Sequence, residues 1–166
     1  MQVLEKLSKI KAFAFDVDGV MTDGSLLLSE EGKYLRIFNI RDGYAIRKAV
    51  NEGFKIVVIS GGKSEGVERR LRDLGVMDIY LGIDEKTPVL LKWLKSNSVE
   101  LDDLAYMGDD ILDLEAMQYA NLKACPADAV PEVKSRANYI SPLSGGKGCV
   151  RDLIEIVLKA QGRWLT

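Results

Sequence analysis

Lys11-Ala-Phe-Ala-Phe-Asp16, continued by Val17-Asp18-Gly19-Val20-Met21-Thr22-Asp23-Gly24, is the stretch on which the fold turns. Its first half is apolar on both alternating faces, the pattern of a parallel strand buried between two helix layers rather than one facing water. The second half ends that strand with carboxylates and glycines. Lys55-Ile-Val-Val-Ile-Ser60 repeats the arrangement, and Leu104-Ala-Tyr-Met-Gly108 and Asn121-Leu-Lys-Ala-Cys125 are weaker versions of it. Amphipathic segments between these runs predict helices over Gly43–Asn51, Ser64–Leu74, Lys86–Ser96, Asp110–Tyr119 and Gly148–Gln161. In the last, Val150, Leu153, Ile154, Val157 and Leu158 recur at helical spacing. Such alternation predicts an α/β fold, a doubly wound, Rossmann-like parallel sheet between helices. Ser25–Phe38 breaks the rhythm and reads as a β-hairpin around Glu30-Glu31-Gly32. The 166 residues are expected to form a single domain, 1–166, with no insertion large enough for a cap.

Composition narrows the chemistry. The chain has no histidine, which excludes Ser-His-Asp triads, Cys-His pairs and every histidine-ligated metal site. Its two cysteines, Cys125 and Cys149, are too few for a four-thiolate centre. A net charge of −2 with scattered Lys and Arg argues against nucleic acid as a partner. No run approaches the roughly 18–20 apolar residues of a membrane span. Met1–Lys11 has no apolar signal core, and two unclustered cysteines suit a reducing compartment, so a cytoplasmic location is expected. The remaining reagents are carboxylates, hydroxyls, lysines and a hard metal ion.

Ligands of doubly wound sheets bind at the carboxyl ends of the strands. Three such ends carry Asp16 and Asp18, Ser60, and Gly108-Asp109-Asp110, while Lys86 opens a helix just before the last of these strands. Two carboxylates ~4 Å apart repel by about 4 kcal/mol at an effective dielectric of 20. Asp16 and Asp109 in one crevice therefore call for a cation, and an all-oxygen site of this kind suits Mg²⁺. With Lys86 adding positive charge, the cluster is fitted to a phosphate group. On an extended backbone the i, i+2 spacing turns Asp16 and Asp18 the same way, one toward phosphorus and the other toward the leaving oxygen. Gly19 permits a tight turn behind them. Gly61-Gly62-Lys63-Ser64 is not a phosphate-cradling P-loop, because the glycine required five positions before Gly62 is Val57.

Asp16-Val-Asp18-Gly-Val-Met-Thr22-Asp23-Gly24 resembles the opening motif of the haloacid dehalogenase (HAD) superfamily, and Ser60, Lys86 and Gly108-Asp109-Asp110-Ile-Leu-Asp113 resemble its other three motifs in order. Across nearly its whole length the chain is similar to the 3-deoxy-D-manno-octulosonate 8-phosphate (KDO 8-phosphate) phosphatases, through Phe38–Arg47, Gly145–Arg151 and Ala160-Gln-Gly162. The resemblance implies a Mg²⁺-dependent phosphatase acting on an acidic sugar phosphate in lipopolysaccharide precursor synthesis. It makes Asp16 the nucleophile that becomes an aspartyl phosphate and Asp18 the acid–base. Asp16, the backbone carbonyl of Asp18, and Asp109 would hold the metal. Ser60, Gly61 and Lys86 would contact phosphate, Lys86 would also restrain Asp16, and Asp110 and Asp113 would support metal-bound waters or the lysine. Arg41, Lys63 and, less strongly, Arg47 are candidate sugar contacts. Gly62 stands where the family usually carries arginine, with Lys63 as a neighbouring substitute. Capless relatives imply a homotetramer in which the hairpin helps to cover the site; the C-terminal Gln161–Thr166 either reaches a site or frays.

Two other readings remain open at this level. One is a phosphatase for a nine-carbon, sialic-acid-type sugar phosphate. The other is a receiver-like module that stores phosphate on aspartate, although receivers place that aspartate where this chain has Ser60.

Overall fold

Phe13 and Phe15 join one apolar cluster while Ala12 and Ala14 join another, so the first strand contributes to two cores at once. The computed structural model describes residues 2–165, and the whole architecture follows from that alternation. Helix α1 (Gln2–Lys9) leads into β1 (Ala12–Phe15), then a hairpin of β2 (Leu27–Leu28) and β3 (Tyr34–Leu35). There follow α2 (Ile40–Asn51), β4 (Lys55–Ser60), α3 (Glu65–Asp73), β5 (Asp78–Leu81), α4 (Lys86–Ser96) and β6 (Leu104–Met107). The chain ends with α5 (Leu114–Met117), β7 (Leu122–Cys125), α6 (Pro131–Lys134), β8 (Tyr139–Ile140) and α7 (Cys149–Ala160).

Six of the strands form one parallel sheet in the order β5-β4-β1-β6-β7-β8. Phe13 lies opposite Ile56 on β4 and Ala105 on β6, so β1 is the central strand at which the winding reverses. Phe13, Phe15, Ile56 and Val58 pack with Ile46, Leu71, Leu153 and Val157 from α2, α3 and α7. Ala12, Ala14, Val57 and Ile59 pack with Leu90, Trp93, Met117 and Val133 from α4, α5 and α6. Among the described residues no insertion forms a cap, and no helix is long and apolar enough to cross a membrane.

Several elements differ from the sequence reading. Residues 2–9 form a helix that docks Leu7 in the core, and β5, α6 and β8 were not foreseen. The helix expected over Asp110–Tyr119 is shorter; residues 111–113 make a 3-10 turn before α5. Asp113 explains this: it reaches back to the N–H groups of Asp109 and Asp110 and so tightens the first turn. The C-terminal segment docks on its own chain. Gln161 donates to the carbonyls of Leu7 and Ile10, and buried Trp164 meets Tyr44 edge-on, 6.1 Å between ring centroids. Leu165 is exposed, and Thr166 lies outside the described residues.

The start of α7 shows how one helix caps another. Gly148, at its N-cap, has φ +108° and no side chain to offer. Asp42 of α2 supplies the missing acceptor, its Oδ1 2.8 Å from the Arg151 N–H, while Oδ2 is buried without a partner. Burial pushes the Asp42 carboxyl up to about 6, against the pull of the Arg151 hydrogen bond and charge. A carboxyl raised from its ordinary 3.8 is penalised when ionised, so stability is lost as pH rises from about 4 to about 6. Asp42→Asn keeps the acceptor and escapes this penalty. Its stability should match wild type at pH 4 and exceed it by about 1–3 kcal/mol at pH 8, read from urea melts at both values.

Candidate active site

Asp16 continues the row of Ala12 and Ala14 and therefore meets the helix layer on their side. There α4 begins with Lys86, whose Nζ is 3.0 Å from Asp16 Oδ1 and 2.7 Å from Asp113 Oδ1. A cation at a helix N-terminus is opposed by the helix dipole, and Glu85 makes no side-chain cap to relieve it. Two carboxylates hold it there. Burial, the largest influence on Lys86, pulls its pKa down, but Asp113 and Asp16 outweigh it; the group stays above the ordinary lysine range and remains a cation.

Asp113 is fully occupied. Oδ1 accepts from Lys86 and from the Tyr106 hydroxyl at 2.8 Å, and Oδ2 accepts from the N–H groups of Asp109 at 3.0 Å and Asp110 at 3.4 Å. Four donors exhaust the lone pairs of a carboxylate. Gly108 makes the approach possible, since a Cβ there would collide with the Asp113 side chain. Asp113 thus orients Lys86 and the Asp109 backbone and has no oxygen to spare for a ligand.

Asp109 is the opposite case. Its Oδ1 is buried with no hydrogen-bond partner, and its carboxyl group comes together with those of Asp16 and Asp113, ligand oxygens within 4.8 Å of one another. Burial first, then Asp113 and Asp16, push Asp109 up to about 8; burial and Asp113 push Asp16 up to about 6, with Lys86 resisting in both cases. Fully ionised, three carboxylates against one ammonium would carry two negative charges in excess, the repulsion that these upward shifts register. The orphaned oxygen, the all-oxygen donor set and the charge deficit all fit Mg²⁺. Gly19, with φ +87°, is also required, because any Cβ at 19 would lie inside the Asp109 carboxylate.

Asp18 is placed differently from the sequence expectation. The Val17 carbonyl accepts from the N–H groups of Val20, Met21 and Thr22, so the chain turns immediately after Asp16 and is not extended. Instead of lying beside Asp16 in the carboxylate cluster, Asp18 is forked by Arg36, with Nε–Oδ1 2.6 Å and Nη2–Oδ2 3.0 Å. Arg36 follows β3, and the sequence reading passed over it; a lone cation between Leu35 and Ile37 in an otherwise apolar stretch was the available signal.

Ser60 is buried at the end of β4, where its Oγ accepts from the Gly62 N–H at 3.4 Å, with exposed Gly61 between them. Lys63 lies over Gly82. Arg41 is exposed in the first turn of α2, where Asn39 caps its N–H. Arg47 donates to the Asp73 carbonyl and so ties α2 to α3. Asp110 is exposed and caps the 3-10 turn through Ile111 N–H; it contributes to the site its N–H to Asp113 and its charge on Asp109. Thr22 Oγ1 accepts from Gly19 and Gly24, and Gly145-Gly146 packs against the backbone of the same turn, Gly146 N–H bonding the Val20 carbonyl at 3.0 Å. That glycine pair buttresses the turn.

A parallel sheet with Asp16, Lys86, Asp109 and Asp113 gathered at its central carboxyl end has the chemistry of a phosphoryl-transfer site, and comparison with known proteins gives its class. Residues 75–150 match the haloacid dehalogenase-like hydrolase family. The 3-deoxy-D-manno-octulosonate 8-phosphate phosphatase of Salmonella typhi is 35% identical over 161 residues, 97% of this chain and 86% of that protein. A crystal structure of the Yersinia pestis phosphatase of the same name superposes with a TM-score of 0.96 at 32% identity, covering 98% of this chain and 88% of that one. The Moraxella catarrhalis phosphatase, in complex with magnesium, phosphate and KDO, gives 0.95 at 33% identity, covering 98% and 94%. The chain belongs to the haloacid dehalogenase-like hydrolases, in the group that contains the KDO 8-phosphate phosphatases. This membership removes the receiver-like alternative.

Asp109→Asn removes one of the crowded charges while preserving shape. At pH 8 without metal, the variant should melt about 2–4 °C above wild type, the response to roughly 1 kcal/mol in a chain of this size. The rise in melting temperature that Mg²⁺ gives the wild-type protein should disappear; an undiminished rise would place the ion elsewhere.

Proposed function

We propose that this chain is a Mg²⁺-dependent phosphomonoesterase that hydrolyses 3-deoxy-D-manno-octulosonate 8-phosphate to 3-deoxy-D-manno-octulosonate and phosphate, a step toward lipopolysaccharide. One observation carries the chemistry: buried Asp16 is gripped by Lys86 beside an Asp109 oxygen that has no partner. The substrate is taken from the relatives, and the Moraxella protein binds magnesium, phosphate and KDO together.

In this reading Asp16 attacks phosphorus as a carboxylate. The new bond is from phosphorus to the Asp16 oxygen, the phosphorus–sugar oxygen bond breaks, and the Asp18 carboxyl gives its proton to the departing oxygen. Water then attacks the aspartyl phosphate, Asp18 takes the water's proton, and phosphate leaves with Asp16 restored. A positioned acid–base of this kind contributes about 10²–10⁴-fold. Ser60, Gly61 and Lys86 bind the phosphoryl oxygens, and Lys86 keeps Asp16 in place. Asp16, Asp109 and the Asp18 carbonyl would hold Mg²⁺, which neutralises charge on the phosphoryl group when bound. Arg41 and Lys63 serve as outer contacts for the acidic sugar.

Among the described residues no insertion forms a lid, and Leu26, Leu27, Leu28, Leu35, Ile37 and Ile40 are exposed on and beside the hairpin. A two-stranded ribbon is marginal alone, and an apolar patch of this kind marks an interaction site. Neighbouring copies in a homotetramer cover that surface and the site mouth. Both cysteines are free and buried, in keeping with a reducing cytoplasm.

Asp16→Asn should lose at least about 10³-fold in turnover with its melting profile retained; residual activity near wild type would refute the nucleophile. Assayed against a panel of sugar phosphates with Mg²⁺, the protein should turn over the eight-carbon acid phosphate faster than its nine-carbon counterpart, and EDTA should stop the reaction until Mg²⁺ is restored. A preference for the nine-carbon substrate would overturn the assignment.

A further inference from the structure

Arg36 is one of the least exposed charged side chains in the hairpin, with 7% of its side chain accessible, and both of its carboxylate contacts are to Asp18. The fork takes both oxygens of the group that must give its proton to the leaving oxygen. Arg36 reaches Asp18 through an opening made by Gly62: a Cβ at 62 would lie 2.7 Å from Arg36 Nη2 and 3.0 Å from Asp18 Oδ2. Gly62 thus leaves the space that the hairpin arginine fills.

Beside this pair, between the hairpin and the start of α3, runs a groove of about 710 Å³, large enough for a sugar acid. Lys33, Arg36, Lys63 and Arg70 line it, with Phe38 as an apolar wall and Glu65 as its one acidic group among the described residues. An anion entering here meets the guanidinium that Asp18 now occupies. A cation this enclosed gives up one counter-ion only against another.

We propose that Arg36 is a specificity-determining residue that holds Asp18 while the site is empty and exchanges it for the carboxylate of an acidic leaving group. The exchange rests on the acidic-sugar reading above. A substrate carrying a carboxylate takes over the fork, and the freed Asp18 takes up a proton from solvent and faces the scissile oxygen, to which it then gives that proton. A phosphate ester with no carboxylate leaves Asp18 bound, and its first step proceeds slowly for want of an acid. Selection is therefore exerted on turnover and not on binding alone.

The test compares 3-deoxy-D-manno-octulosonate 8-phosphate with ribose 5-phosphate, a carboxylate-free ester, in wild type, Arg36→Ala, Arg36→Lys and Gly62→Ala, each with Mg²⁺. Gly62 has no left-handed φ, so alanine there tests only the space that Arg36 needs. Arg36→Ala should lower kcat/KM for the acidic substrate about 10–100-fold, the loss of a charge-assisted pair, and raise kcat for ribose 5-phosphate by about tenfold. Gly62→Ala should move both in the same directions, and Arg36→Lys should restore part of the preference. If Arg36→Ala lowers both substrates by one common factor, or leaves their ratio unchanged, the exchange is wrong. If wild type shows no preference for the acidic substrate, the substrate assignment itself fails, and the exchange falls with it.

Discussion

The buried bridge of Lys86 between Asp16 and Asp113 is the contact on which the site depends. Removing the lysine would strand two carboxylate charges in a dry environment, at a cost of about 3–5 kcal/mol, whereas Asp113 still holds the lysine if Asp16 loses its charge. The ammonium is forced to stay charged by its two partners, and Asp113 in turn spends its remaining capacity on Tyr106 and on the Asp109 and Asp110 backbone. One lysine therefore fixes the nucleophile candidate on β1 and, through Asp113, the loop that follows β6. Two adjacent strands are locked in register at their reactive ends by side chains as well as by their ladder.

The crowding around that bridge is achieved by leaving atoms out. Gly19 and Gly108 stand where the Asp109 and Asp113 carboxylates must pass, and neither position has room for a methyl group. Close approach of like charges is then held against repulsion by the rigid sheet edge. Groups fixed in this way need no reorganisation when charge develops on a bound phosphoryl group, which is the main electrostatic advantage a preorganised site has over water.

The sheet was largely legible because its inner strands are apolar on both faces; Lys11–Asp16, Lys55–Ser60, Leu104–Gly108 and Asn121–Cys125 each contain an observed strand. Its edges were not. Asp78–Leu81 is only half-buried and Tyr139–Ile140 is two residues long, so neither carries the signature of a buried strand. Lys86, at the head of a helix, was legible for the same topological reason as Asp16 and Asp109: a doubly wound sheet brings strand ends and helix starts to one edge. Asp18 was legible as a site carboxylate, but its separation from the Asp16, Asp109 and Asp113 cluster was not, because that depends on a turn in which three N–H groups converge on the Val17 carbonyl. Arg36 was passed over because its meaning lies in a contact across 18 positions of sequence, to which an isolated cation in an apolar stretch is only a faint pointer.

The hairpin supplies Arg36 but contributes nothing to the sheet; β2 and β3 pair only with each other and stand largely in solvent. On the proposal above, the bond-breaking apparatus and the part that meets the rest of the substrate are carried on separable pieces of chain, the carboxylates on the sheet and Arg36 on the peripheral ribbon. Substitutions in the ribbon away from Arg36 would then change which ester is accepted while leaving the Asp16, Asp109 and Asp113 cluster in place. A lineage built on this plan is free to explore new leaving groups by drift in about a dozen surface residues, while the machinery that cleaves them is inherited intact.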